Sequence, residues 1–214
     1  MFDTASLADR IDRIAGDNAR LIVAIAGAPG SGKSSYAAAL KATLDRRNRA
    51  LGAMVVPMDG FHLDNAILDA NGWRARKGAA HSFDIAGFDA LLARLAAPGP
   101  DPIYIPLFDR ARDLSVNAAM AIAAENRVLL VEGNYLLLDA PGWRGLRAHF
   151  DLTVMLVVPE AELERRLMRR WLDLGLSREA ATAKVAGNDL LNARQVIAQS
   201  TRADIRINND GAGG

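Results

Sequence analysis

The residues Gly27-Ala28-Pro29-Gly30-Ser31-Gly32-Lys33-Ser34 spell a glycine-rich loop closed by Lys-Ser, with Ser35 directly after it. Three glycines let a backbone turn tightly and bring its N–H groups against a polyphosphate, and the positive end of a following helix adds favourable field at the same point. Lys33 is placed to reach the β- and γ-phosphates, and Ser34 offers a hydroxyl to a Mg²⁺ ion bridging them. Gly27 through Ser35 are therefore the candidate nucleotide-binding residues. The loop alone does not say whether the phosphoryl group goes to water, to a protein or to a small molecule.

Two acids stand at the ends of apolar runs. Asp59 follows Ala53-Met54-Val55-Val56-Pro57-Met58, and Glu132 follows Val128-Leu129-Leu130-Val131. In open parallel sheets ligands collect outside the carboxyl ends of the strands, so both acids are expected at one crevice. Asp59 there can accept the proton of an attacking hydroxyl or hold a metal-bound water, the alternative being a turn-forming Asp-Gly. Glu132 suits a Mg²⁺-organising acid, because a buried carboxylate needs a partner. Arg166, Arg169 and Arg170 recur at i, i+3 and i+4 and can clamp a transferring phosphate; an exposed helix supported by Glu162–Arg166 is the plainer reading. His62 is either structural or a substrate contact. The segment Trp73-Arg74-Ala75-Arg76-Lys77-Gly78 suits an anionic or sugar-like ligand or a solvated loop, and Asp109-Arg110-Ala111-Arg112-Asp113 a polar substrate or a self-paired turn.

These residues need elements to position them. Apolar runs starting near 21, 53, 127, 151 and 203 predict five parallel strands, the one in the stretch 127–138 ending in Glu132-Gly133. Helical spacing predicts helices over 4–15, after the loop, over Phe88-Leu91-Leu92-Leu95 until Pro98-Gly99-Pro100, over 160–174, and from Ser177 to about 199. Lys41, Arg46, Arg47 and Arg49 read as a solvated face. Pro106 puts the short strand 103–108 at a sheet edge or in a separate ribbon. The expectation is a three-layer α/β phosphate-loop NTPase fold with helices on both faces of the sheet. It is taken as one domain over 1–214, with an acceptor-binding insertion at about 59–125, a lid at about 165–190 and a loose Gly-rich tail.

Composition narrows the classes. Twenty-six basic against 25 acidic residues leave a net charge of +1, which favours neither nucleic acid nor an anionic membrane. With no cysteine, disulfides, thiol nucleophiles and Cys-ligated zinc are excluded. The acidic start and the lack of a long uncharged apolar run predict a soluble cytoplasmic protein.

Several motifs together resemble the phosphoribulokinase, uridine kinase and bacterial pantothenate kinase family of phosphate-loop kinases. They are GAPGSGKS at 27–34, MDGFH at 58–62, RKGAAHSFD at 76–84, PLFDRARD at 106–113, VEGNYLLL at 131–138 and RRLMRRW at 165–171. The overall look is nearest to short bacterial members known as fructose transport system kinases, also labelled fructokinase-like or nucleoside kinase-like. The resemblance implies ATP and Mg²⁺ as cofactors, Asp59 as the base, Lys33 and Ser34 as phosphate and Mg²⁺ ligands, and Glu132 as the second acid. It puts Arg166, Arg169 and Arg170 in a lid, with Arg170 the catalytic one, and His62, Lys77, His81, Arg110 and Arg112 around the acceptor. The sequence departs from pantothenate kinases at Ala79, Ala80 and His81, and from uridine kinases in its sparser lid arginines.

The leading expectation is an ATP-dependent kinase acting on a hydroxyl of a small metabolite, a sugar such as fructose first. A nucleoside or pantothenate-like acceptor is the alternative, and a nucleotide-gated regulatory ATPase is the reading from another class. No nucleic acid or membrane partner is expected, and a homodimer is left open.

Overall fold

The computed structural model describes residues 4–16, 20–97 and 99–210. Pro98 and the Gly-rich tail from 211 lie outside them. The apolar runs form β1 (Leu21–Gly27), β2 (Met54–Pro57), β5 (Val128–Gly133), β6 (Leu152–Val157) and β7 (Ile205–Asn208), a parallel sheet in the order β2-β5-β1-β6-β7. The central strands β1 and β5 are buried along their whole length, which is why they read as continuous apolar runs and show no alternation.

Helices α1 (Thr4–Ala15) and α2 (Lys33–Arg47) cover one face, closing a core of Leu7, Ile11, Tyr36, Leu40 and Leu44 against Val23, Ile25 and Leu130. The helix α3 (Asn65–Ala70) is short and begins at Asp64, whose side chain accepts from the Ala66 N–H at 2.8 Å. On the other face lie α4 (Ile85–Ala96), α5 (Glu160–Asp173) and α7 (Leu190–Gln199), which bury Phe88, Leu92, Leu163, Leu167, Ala193 and Val196. Between α5 and α7, α6 (Arg178–Lys184) starts at Ser177, whose hydroxyl accepts from the Ala180 N–H. A π-turn, Val185–Asp189, joins α6 to α7. The basic residues Lys41, Arg46 and Arg47 of α2, and Arg49 beyond it, are on a solvated face, where Lys41 pairs with Asp45 and Arg47 with Asp9. Among the described residues no helix is long and apolar enough to cross a membrane.

One strand ends as expected and one gains a partner. In the stretch 127–138, β5 stops at Gly133, packed against Met58, and Tyr135–Leu138 turn into the core. The strand at 103–108 does form a separate ribbon, β3 (Ile103–Asp109), with a register shift where Pro106 interrupts the ladder, but its partner β4 (Leu114–Ile122) is new. Its sequence, LSVNAAMAI, carries too few bulky residues to show alternation.

The ribbon is pinned near the sheet by Gly60, since a Cβ there would sit 2.2 Å from the Pro106 carbonyl oxygen. Parallel register does the rest. Ala26 pairs with Gly133 and Pro57 with Glu132, so the phosphate loop, Asp59 and Glu132 leave the sheet at one edge.

Candidate active site

The loop between β1 and α2 is held in one shape by its surroundings. Gly32 sits at φ 85°, which L side chains rarely adopt, and a Cβ there would lie 2.8 Å from Asn209 Nδ2. Asn209, buried just past β7, donates its side-chain N–H to the Ser31 carbonyl at 2.6 Å, while its own N–H bonds Val157 O. The last strand thus braces the loop from behind.

Lys33 is buried and donates to the Ala28 carbonyl at 3.1 Å. Burial lowers the affinity of its ammonium for the proton, and the neighbouring Glu132 and Asp59 carboxylates oppose that shift. Glu132 is buried as well and accepts from the Ser34 hydroxyl at 3.2 Å. Its carboxyl is pushed above the usual range by burial, with Lys33 pulling the other way. A hydroxyl, a carboxylate and an ammonium therefore converge at the start of α2, the ammonium and carboxylate buried and the hydroxyl exposed.

A cavity of about 290 Å³ opens here, lined by Pro29, Gly30, Gly32, Lys33, Ser34, Ser35, Asp59, Glu132 and Arg170 among others. Beyond it lies a second cavity of about 350 Å³, walled by His62, Lys77, Phe108, Trp171, Asn188 and Asp189. Five residues line both: Pro29, Asp59, Arg110, Asn134 and Arg170. Asp59 stands on the single turn Met58–Phe61 and is paired with Arg110 of the ribbon at 3.0 Å. Arg170, from the last turns of α5, has its guanidinium proton affinity lowered by burial and by the nearby Arg110. Two guanidiniums and one carboxylate at the mouth between two cavities form a junction suited to an anion beside Asp59.

The acceptor-side predictions divide. His62 lines the second cavity, its ring 4.1 Å from Phe83 and 4.6 Å from Phe108, with Nδ1 against the Asp59 carbonyl. Burial lowers its proton affinity, so it stands neutral. Lys77 lines the cavity too, bonded to Asn65 and to Asp113.

Two others are turned away from these cavities. Arg112 is turned outward and held by Asp109 within its own turn, at 2.7 Å. His81 is exposed and leans on Trp73, 5.0 Å between rings, away from the residues lining the two cavities. Arg169 is 75% exposed and loosely paired with Asp173, and with Arg110, Arg166 and Arg170 it lines a further cavity of about 680 Å³. Arg166 does meet the loop, but as a tie: it donates to the Asn209 carbonyl at 2.7 Å and to Glu162 at 2.6 Å.

Sequence reasoning missed Asn134, which sits inside the VEGNYLLL stretch without an assigned role, and the buried set Asn188, Asp189 and Asn192. A helix placing three polar residues at i, i+1 and i+4 on a buried face was the available signal. The π-turn that re-aims them is not visible in the sequence.

Comparison with known proteins decides the family. The model of the phosphoribulokinase / uridine kinase family matches residues 22–210. The chain belongs to that family. This kinase is 32% identical over 192 residues to a Schizosaccharomyces pombe protein named "Putative uridine kinase C227.14", covering 87% of this chain and 82% of the other. It is 31% identical over 188 residues to the uncharacterized Escherichia coli K12 protein YggC, covering 88% and 77%. A crystal structure from Silicibacter sp. TM1040, described as a "putative fructose transport system kinase", superposes with a TM-score of 0.90 at 46% identity, over 96% of this chain and 99% of that one. The kinase is thus an ATP-dependent phosphotransferase with an alcohol group as acceptor.

Proposed function

We propose that this kinase transfers the γ-phosphoryl group of ATP to a hydroxyl of a small sugar-like metabolite bound in the cavity between α5, the π-turn and the ribbon. The observation that carries the reading is the shared wall: Asp59 and Arg170 face both the cavity at the phosphate loop and the one beside it. An acceptor hydroxyl at Asp59 then lies in reach of a phosphate held by Lys33 and the loop amides.

Phosphoryl transfer asks mainly for positioning and charge stabilisation. The backbone of Ala28–Ser34 would hold the triphosphate, with Lys33 compensating charge on its terminal phosphates. Asp59 would take the hydroxyl proton as the acceptor oxygen attacks the γ-phosphorus, and the bond to the ADP oxygen breaks in line. Arg110 would leave Asp59 for the phosphate, and Arg170 would meet the charge on the equatorial oxygens. The π-turn and Trp171 close the cavity away from water.

The donor set fits Mg²⁺. Ser34 and Glu132 supply hard oxygens, 3.2 Å apart, and among the described residues no cluster of three metal-ligating side chains exists. That suits an ion bound through one or two protein oxygens with the phosphates supplying more. When bound, Mg²⁺ would neutralise phosphate charge.

A sugar is favoured because the second cavity is walled by polar side chains and the Silicibacter relative carries a fructose-related name. The uridine kinase name of the S. pombe protein makes a nucleoside the second choice. An ADP-release assay with Mg·ATP over sugars, nucleosides and pantothenate tests the reading. Stimulation by a sugar is expected; nucleotide consumption indifferent to every acceptor would replace the reading with a regulatory ATPase.

A further inference from the structure

The wall of the acceptor cavity contributed by the helical region α6–α7 is built differently from the rest. Asn188 donates to the Lys77 carbonyl at 2.9 Å, Asn192 donates to Asn188 at 3.1 Å, and Arg76 donates to Asn192 at 2.9 Å. These bonds rivet the π-turn to the 74–78 segment. Asp189, next in line, is nine-tenths buried, and its Oδ2 accepts from the Trp171 indole N–H at 2.5 Å. Among the described residues no hydrogen bond engages its Oδ1, which is not sealed in the core, and the residue lines the cavity. A buried carboxylate with one oxygen tethered and one free is a rigid hydrogen-bond acceptor aimed at whatever fills the space.

The charges around it point the same way. Lys77 is paired with Asp113 at 3.0 Å, Arg74 with Asp69 at 2.6 Å, and Lys184 rests on the Trp171 ring at 4.6 Å, close enough to Asp189 to feel its charge. The two guanidiniums at the mouth, Arg110 and Arg170, face the phosphate side as well. On the acceptor side each cation already has an acid or a ring, so none is set aside for a carboxylate or phosphate on the acceptor.

We infer that Asp189 is a specificity-determining residue that accepts a hydrogen bond from a second hydroxyl of the acceptor, so that the substrate class is an uncharged polyol and anionic acceptors are rejected. This rests on the kinase reading above. A site built around a buried acceptor rejects a ligand that lacks the matching donor, because the carboxylate is then left unpaired. A negative group beside it adds repulsion.

The test is steady-state kinetics on wild type, Asp189→Asn and Trp171→Phe, with fructose as the neutral probe and fructose 6-phosphate and glycerate as anionic ones. Asn keeps the shape and an oxygen for Trp171 but loses the charge; Phe keeps the ring but unties Asp189. Wild type should favour fructose by about a hundredfold or more in kcat/KM, the penalty of placing a like charge beside a buried carboxylate. Asp189→Asn should raise the fructose KM about tenfold or more while the ATP KM holds, and should shrink the preference over the anionic probes. Trp171→Phe should raise the fructose KM severalfold. An unchanged fructose KM in both variants overturns the inference, and so does a wild type that prefers an anionic probe; in either case the kinase reading stands. No stimulation of wild type by any of the three probes, with turnover on a nucleoside or pantothenate, removes the sugar-like acceptor proposed above and the inference with it.

Discussion

At the scale of single residues, the site depends on groups whose charge is set by burial. His62 is held neutral between two phenylalanine rings, its proton affinity lowered chiefly by desolvation. A histidine depressed in the folded state contributes stability above its unfolded value, about 6.5, and that stability is lost as pH falls below it. The melting temperature should therefore drop between pH 7.5 and 5.5 more steeply in wild type than in His62→Phe; parallel curves would show that His62 is not the group responsible. Arg170 makes a different prediction. If it meets charge that develops during transfer, Arg170→Ala should lower kcat by about 10²–10³ with little change in acceptor KM, the size seen when one stabilising donor is removed. A change confined to KM would make it a ground-state contact.

Residue positions were legible where a motif fixes both type and place. Lys33, Ser34, Asp59 and Glu132 converge as their positions after strands require. Positions were harder to read where only composition spoke. Arg112 and His81 lie in basic or aromatic stretches, but a turn that pairs Arg112 with Asp109 and a loop that leans His81 on Trp73 send both away. Asp189 was missed for the opposite reason: a π-turn changes which residues of a helix face inward, and side-chain periodicity carries no sign of it.

At the scale of elements, the brace behind the phosphate loop is the new feature. Asn209 reaches from the end of β7 to the Ser31 carbonyl, and Arg166 of α5 bonds the Asn209 carbonyl in turn. Removing the buried donor leaves the Ser31 carbonyl unsatisfied, a cost of about 1–3 kcal/mol. Asn209→Ala should lower thermal stability and weaken Mg·ATP binding by about tenfold, or ~1.4 kcal/mol, in calorimetry. Full ATP affinity in that variant would make the brace irrelevant to binding. The strands that build the sheet were readable because burial on both faces leaves unbroken apolar runs. The ribbon partner β4 was not, since alanines in a half-exposed strand leave no alternation to read.

At the scale of the whole molecule, parallel register brings three strand ends together, and a ribbon and a helical arm close over them to make two adjoining cavities. A ligand that binds only the folded form stabilises it by mass action, so Mg·ATP at about a hundred times its Kd should add about 2.7 kcal/mol to unfolding stability. A sugar acceptor should add a further increment when a non-hydrolysable ATP analogue fills the first cavity. No shift with either ligand in thermal denaturation would mean that the cavities do not bind them. The layered architecture was legible from the alternation of apolar runs and amphipathic stretches; the adjacency of the cavities was not, because it depends on where the ribbon and arm fold back.

The central claim is that Asp59 receives the proton of an acceptor hydroxyl lying against ATP held at Lys33. Its most direct test follows the fate of a radiolabelled γ-phosphate in wild type and Asp59→Asn, with fructose present. The account predicts label on the sugar with wild type, and with Asp59→Asn unchanged ATP affinity but transfer slowed by about 10²–10⁴. Label released only as inorganic phosphate by wild type, or equal transfer by both proteins, would contradict it.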